Sequence, residues 1–228
     1  MERQDEKVIV GEAAVVQFVK DGMTVGLGTG TTAYYVIKKM GEMIKEGMEL
    51  KGVATSKATE KLASECGIQL LDINEVEQLD IAIDGADEID DNFFAIKGGG
   101  GALLREKIIA NAAKTFIVVA DGSKKVQSLG KFPLPIEVVP FGYEHTEKAI
   151  QKFGCKTAIR QKDGELFVTD NGNYIIDCSF PTIKNPTQLH QDLNNIVGVV
   201  ENGLFINMVD VLISINEQDQ ISVEHKNR

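Results

Sequence analysis

The chain has 228 residues, enough to bury one large core or two modest ones, and its 43% hydrophobic and 25% charged composition is that of an ordinary globular protein. With 24 basic and 34 acidic side chains the net charge is −10, which argues against nucleic acid or an anionic membrane as a general partner. No run reaches the ~18 apolar residues of a membrane span, residues 1–10 hold no apolar signal region, and Cys66, Cys155 and Cys178 are too widely spaced for a zinc site, so a cytoplasmic protein with free thiols is expected.

In chain order, residues 23–28 read as a strand, 31–44 as a helix, 50–56 as a strand, 57–66 as a helix, 68–73 and 79–84 as strands, 101–113 as a helix and 115–120 as a strand. Continuous apolar strands alternating with amphipathic helices predict an α/β fold with a Rossmann-like, mostly parallel sheet covered on both faces. Residues 131–142 hold three of the five prolines and suit a connector or an edge strand. Beyond them, 146–154 (helix), 156–161, 166–170 and 173–180 (strands), 185–196 (helix) and 197–203 predict a smaller α+β, ferredoxin-like domain. The apolar segment 210–215 returns to the first sheet in this scheme. The expected domains are therefore 1–129 with 207–228, and 130–206.

Strand-to-helix loops are where such folds place chemistry. In GLGTGTTA, residues 26–33, glycines allow close backbone approach, the helix N-terminus offers free N–H groups, and Thr29, Thr31 and Thr32 add hydroxyls around Gly30. The loop suits a small-molecule phosphate. A dinucleotide and a plain tight turn are the competing readings, but the next strand ends in VATSKAT without the ribose-binding carboxylate. The TSKAT turn at 55–59 caps its helix through Thr55 or Ser56.

In DIAIDGADEID, residues 80–90, the strand delivers Asp84 to its end, and the turn through Gly85 and Ala86 brings Asp87 near it. Two close carboxylates share protons readily, which suits transfer between hydroxyls; a divalent metal and solvated charge are the alternatives, and Glu88, Asp90 and Asp91 go to the solvated face. Next come Lys97, placed to neutralise developing negative charge, and Gly98, Gly99, Gly100 and Gly101, a backbone able to wrap a ligand. On the following helix Glu106 has only Ala102, Leu103, Ile109 and Ala110 at helical spacing. A carboxylate on an apolar stripe is desolvated toward the range of a general base; pairing with a distant lysine is the competing reading. Arg105 and Lys107 read as surface or rim charges, and the DGSK turn puts Lys124 at the same strand edge.

GLGTGTTA, TSKAT, DGADEID, KGGGGALLREKI and DGSK, in this order, resemble the type A ribose-5-phosphate isomerases over nearly the whole chain. The resemblance implies an aldose–ketose isomerase of the pentose phosphate pathway. It would interconvert D-ribose 5-phosphate and D-ribulose 5-phosphate through an enediolate, with no metal or organic cofactor. It further implies Glu106 as proton acceptor, with Asp84, Asp87 and Lys97 catalytic. Thr29, Gly30, Thr31, Thr32, Asp84, Gly85, Ala86, Asp87, Lys97, Gly98, Gly99, Gly100 and Lys124 would contact a sugar phosphate in a homodimer or homotetramer. Three segments depart from the family pattern: Gly122 stands where DESK has glutamate, Gly101 makes GGGAAL read GGGGAL, and Cys178 with Ser179 stands in the segment that is usually LDVH. A sugar-phosphate sensor and an amino-sugar phosphate isomerase or acyl-CoA transferase are the rival readings; a sensor has no need of Glu106.

Overall fold

The computed structural model describes residues 3–216 and 218–226. Met1, Glu2, Glu217, Asn227 and Arg228, which belong to the expected segments 1–129 and 207–228, lie outside the described residues. The helices are α1 (Arg3–Phe18), α2 (Thr31–Lys45), α3 (Lys57–Glu65), α4 (Leu103–Ala112), α5 (Tyr143–Gln151) and α6 (Pro186–Asn194). The strands are β1 (Thr24–Leu27), β2 (Lys51–Ala54), β3 (Gln69–Leu70), β4 (Ile81–Gly85), β5 (Glu88–Ile89), β6 (Ala95–Ile96), β7 (Phe116–Val119), β8 (Leu134–Val138), β9 (Lys156–Ile159), β10 (Gln161–Lys162), β11 (Glu165–Leu166), β12 (Tyr174–Ser179), β13 (Val199–Asn202), β14 (Leu204–Phe205), β15 (Val211–Ile215) and β16 (Ile221–His225).

Two compact units result: residues 1–86, 105–125 and 208–228, and residues 87–104 with 126–207. The first holds a seven-stranded sheet in the order β16-β15-β7-β4-β1-β2-β3, parallel except for β16. β15 pairs with β7 in parallel, so the segment after residue 207 does return to this sheet. Val25, Leu27, Ile83, Ile117, Val119 and Ile213 are buried from the sheet, against Val10, Ala14 and Val15 of α1 and Val36, Ile37 and Met40 of α2. Full burial of each such aliphatic side chain is worth about 2 kcal/mol. Helix α1 has no counterpart among the expected elements. Its Gly11 lets it lie close on α2, since a Cβ there would sit 3.0 Å from Tyr35 Cβ.

The second unit contains a four-stranded antiparallel sheet ordered β13-β8-β12-β9, with α5 and α6 between its strands in sequence. This is the split βαβ order of a ferredoxin-like fold. Its core joins Leu134, Ile136, Val138, Ile176 and Cys178 to Ile150 of α5 and Leu193 of α6. The proline-rich segment is an inner strand, β8, and not the connector or edge expected from its composition. Pro135 is tolerated because its carbonyl accepts from Gly203 N–H at 2.8 Å, so its missing N–H faces the side where β13 has already ended at Asn202. Residues 87–104 group with this unit because β6 pairs with both β5 and β14, an antiparallel trio without an expected counterpart. Residues 167–170, expected as strand, lie outside β11.

Candidate active site

Thr29, Gly30, Thr31, Thr32, Asp84, Gly85, Ala86, Glu106 and Lys124 belong to the first unit; Asp87, Lys97, Gly98, Gly99 and Gly100 belong to the second.

In the first unit the strand order reverses direction at β1 and β4, the topological switch point where open α/β sheets bind ligands. Gly28 N–H bonds to Ile83 O at 3.0 Å, and Asp84 Oδ1 accepts from Thr29 N–H at 3.0 Å and from Gly85 N–H at 2.7 Å. The two loops are thus locked together. Gly28 is obligatory for this approach, because a Cβ there would fall inside the Asp84 side chain. Gly30, at φ 120°, precedes α2 without offering a side-chain cap, and the first helical N–H with an acceptor is that of Tyr34, to Gly30 O. The amides of Thr31, Thr32 and Ala33 have no acceptor among the described residues. Free N–H groups at the positive end of a helix dipole suit an anion.

The TSKAT turn does lie beside this loop. Ser56 caps α3 through Thr59 N–H, and Thr29 Oγ1 lies 2.7 Å from Thr55 Oγ1, 2.8 Å from Ser56 Oγ and 3.1 Å from Thr59 Oγ1. Thr59 Oγ1 in turn donates to Gly28 O at 2.9 Å. The Thr29 hydroxyl is therefore spent on holding the loop, which leaves Thr31, exposed, as the threonine open to a ligand.

Glu106 is 3% exposed on the first turns of α4. Ile109, on the same face, packs over β1 so closely that a Cβ on Gly26 would meet Ile109 Cγ2 at 2.5 Å. A helix that feeds a parallel strand runs antiparallel to the sheet, so Glu106, one turn before Ile109, lies toward the C-terminal strand ends that carry Asp84. Lys107, expected at the surface, is also buried, while Arg105 forms an ion pair with Glu60 at 3.9 Å. Lys124 closes a short 3₁₀ turn, capped by Asp121 through Ser123 N–H at 3.1 Å. At the departure Gly122, the Glu6 carboxylate of α1 accepts the Gly122 N–H at 2.9 Å, bringing an acid to this turn from a different part of the chain.

In the second unit Lys97 is 2% exposed, with Nζ 5.4 Å from the centroid of the Phe205 ring. Asp87 Oδ2 accepts the Gly99 N–H at 2.7 Å, so this amide is occupied rather than open as the sequence suggested. Gly98 and Gly101 have φ of 103° and 83°, and the Phe167 ring fills the place of a Gly101 Cβ, which accounts for glycine at that departure. Glu88 and Asp90 are buried, not solvated. Glu88 accepts from the N–H groups of Gly130 (2.8 Å) and Phe132 (2.5 Å), and Asp90 from those of Asn92 and Phe94, both at 2.9 Å.

Arg160 and Asp177 have no counterpart among the sequence-based candidates. Arg160 Nε donates to Asp177 Oδ2 at 2.9 Å, and Arg160 Nη1 reaches the carbonyls of Gly98 and Gly99. The available signal was Asp177, a lone acid within the apolar strand YIIDCS. Among the described residues no group of three or more His, Cys, Asp or Glu is placed to hold a metal ion.

The family model described as ribose 5-phosphate isomerase A (phosphoriboisomerase A) matches residues 51–219. Ribose-5-phosphate isomerase A of Bacillus mycoides is 55% identical over 203 residues, 89% of this chain and 91% of that relative. Among solved structures, ribose 5-phosphate isomerase from Plasmodium falciparum superposes with a TM-score of 0.96 at 37% identity, covering 99% of this chain and 100% of the other. A D-ribose-5-phosphate isomerase in complex with phospho-erythronic acid gives 0.95 at 39% identity, with the same coverage. On sequence and fold alike, the chain belongs to the ribose 5-phosphate isomerase A family.

Proposed function

We propose that this protein is an aldose–ketose isomerase that interconverts D-ribose 5-phosphate and D-ribulose 5-phosphate through an enediolate, and that Glu106 moves the carbon-bound proton. The observation that carries the reading is a carboxylate 3% exposed on the sheet-facing side of α4, in a chain of this family. Glu106 takes the proton from C2 of the opened aldose and returns it at C1. Lys97 neutralises the charge that develops on the enediolate oxygens. Asp84 and Asp87 assist ring opening and carry the proton between O1 and O2. The amides of Thr31 and Thr32 hold the phosphate, with Lys124 as a cationic contact.

The reaction needs neither metal nor organic cofactor in this scheme, since side chains move every proton. Isomerisation of ribose 5-phosphate is expected to survive exhaustive treatment with EDTA. Loss of activity that a divalent ion restores would overturn the metal-independent course, and inactivity on ribose 5-phosphate under all conditions would overturn the substrate. A homodimer or homotetramer in the cytoplasm completes the proposal. Self-association is supported by Phe141 and Val197, each 94% exposed on the second unit, and location by three buried free cysteines. Among the described residues no helix is long and apolar enough to cross a membrane.

A further inference from the structure

The guanidinium of Arg160 is used on two sides. Nε and Nη2 grip the two oxygens of Asp177, and Nη1 donates to Gly98 O at 2.9 Å and Gly99 O at 3.1 Å. The Phe167 ring lies against the guanidinium at 5.9 Å, and its edge fills the place of a Gly101 Cβ. All of these residues lie in the second unit.

A trans peptide points its C=O and N–H in opposite directions. With the carbonyls of Gly98 and Gly99 turned toward Arg160, the N–H groups of Gly99 and Gly100 are turned away from it. The first of these meets Asp87. The second, on an exposed residue, has no acceptor among the described residues. Four consecutive glycines have no side chains to fix either hand of the backbone; the Gly101 N–H closes the turn on Gly98 O at 3.0 Å, and the rest of the orientation is imposed from outside the loop. Arg160 is placed to impose it.

We propose that Arg160, clamped by Asp177, is a positioning residue for the reaction: it orients the two peptides of the glycine loop so that the Gly100 N–H serves as an oxyanion donor. The identity of that oxyanion as the enediolate rests on the isomerase reading above. A lysine cannot substitute, because one ammonium cannot hold a carboxylate bidentately and two carbonyls at once.

The test compares Arg160→Met and Arg160→Lys with the wild type. Removing one preorganised donor typically lowers kcat by about 10² to 10³. Both variants are expected to lose about 100-fold in kcat with KM within about threefold, and Arg160→Lys keeps a charge beside Asp177 should Arg160→Met fail to fold. Phospho-erythronic acid ends in a planar carboxylate whose delocalised negative charge stands in for the oxyanion of an enediolate, which bears one oxygen on each of two adjacent planar carbons. Its affinity is expected to fall by at least about tenfold, and the Gly100 amide resonance of glycine-labelled protein to lose its ligand-induced shift. A folded variant with kcat within about twofold of wild type, or a raised KM at unchanged kcat, would overturn the inference. Inactivity of the wild type on ribose 5-phosphate would instead overturn the isomerase reading, and the Gly100 resonance would still report whether Arg160 governs the loop.

Discussion

Thr29 donates its backbone N–H to Asp84 Oδ1 at 3.0 Å, so the loop leaving β1 and the turn leaving β4 are one rigid body within the first unit. The free amides at the start of α2 and a carboxylate are thereby held in fixed register. Gly28→Ala inserts a methyl into the Asp84 side chain and forces the two loops apart. The expected result is a loss of about 1–3 kcal/mol in stability, measured by denaturant unfolding, and a drop in kcat well beyond any change in KM. Unchanged stability would mean that the contact yields without cost.

Lys97 is buried beside Phe205, which fixes its ammonium and limits its alternatives. Lys97→Met retains the length and removes the charge. A fall in kcat of about 10² to 10³ is expected, beyond what any loss of folded protein accounts for. Equal losses in kcat and in stability would mark Lys97 as a structural group instead.

Glu88 is a carboxylate with a structural task, since it accepts two backbone N–H groups from Gly130 and Phe132. Glu88→Ala leaves both without that acceptor and is expected to cost about 3 kcal/mol, while turnover per folded molecule stays at the wild-type level. A surface charge would show almost no change in stability.

Asp80 supplies a pH dependence with a definite sign. The Thr24 N–H and then Lys114 hold its carboxyl below the ordinary value of 3.8. A depressed folded value means that the contribution is complete above 3.8 and is lost as pH falls toward the folded value. Asp80→Asn should therefore lower the melting temperature near pH 6 by an amount worth about 1 kcal/mol or less, given the partial exposure of the pair, and the gap should close in acid. A gap independent of pH would assign the effect to packing.

Much of this architecture was legible because its signals are local. The run of strand and helix through β1, α2, β4, α4 and β7 follows from apolar spacing within windows of about a dozen residues. The apolar neighbours of Glu106 in its own helix were enough to find a buried carboxylate. What stayed hidden depends on partners far along the chain. Glu88 and Asp90 sit in a charged run that looks solvated, and only Gly130 and Phe132 reveal the task of Glu88. The two-residue strands β5, β6 and β14 are too short for any period to register, and their pairing joins residues near 90 to residues near 205. The prolines around β8 suggested an edge, because composition cannot show that β13 stops beside Pro135. Arg160 lies 62 residues from the Gly98 carbonyl it holds, so no motif contains both.

The most direct test of the central claim is the turnover of Glu106→Gln on ribose 5-phosphate. The amide keeps the shape of the side chain and removes the base, so kcat is expected to fall by about 10³ with KM within about threefold and no loss of thermal stability. A folded variant that turns over within about twofold of the wild type would contradict the assignment of Glu106 as the base.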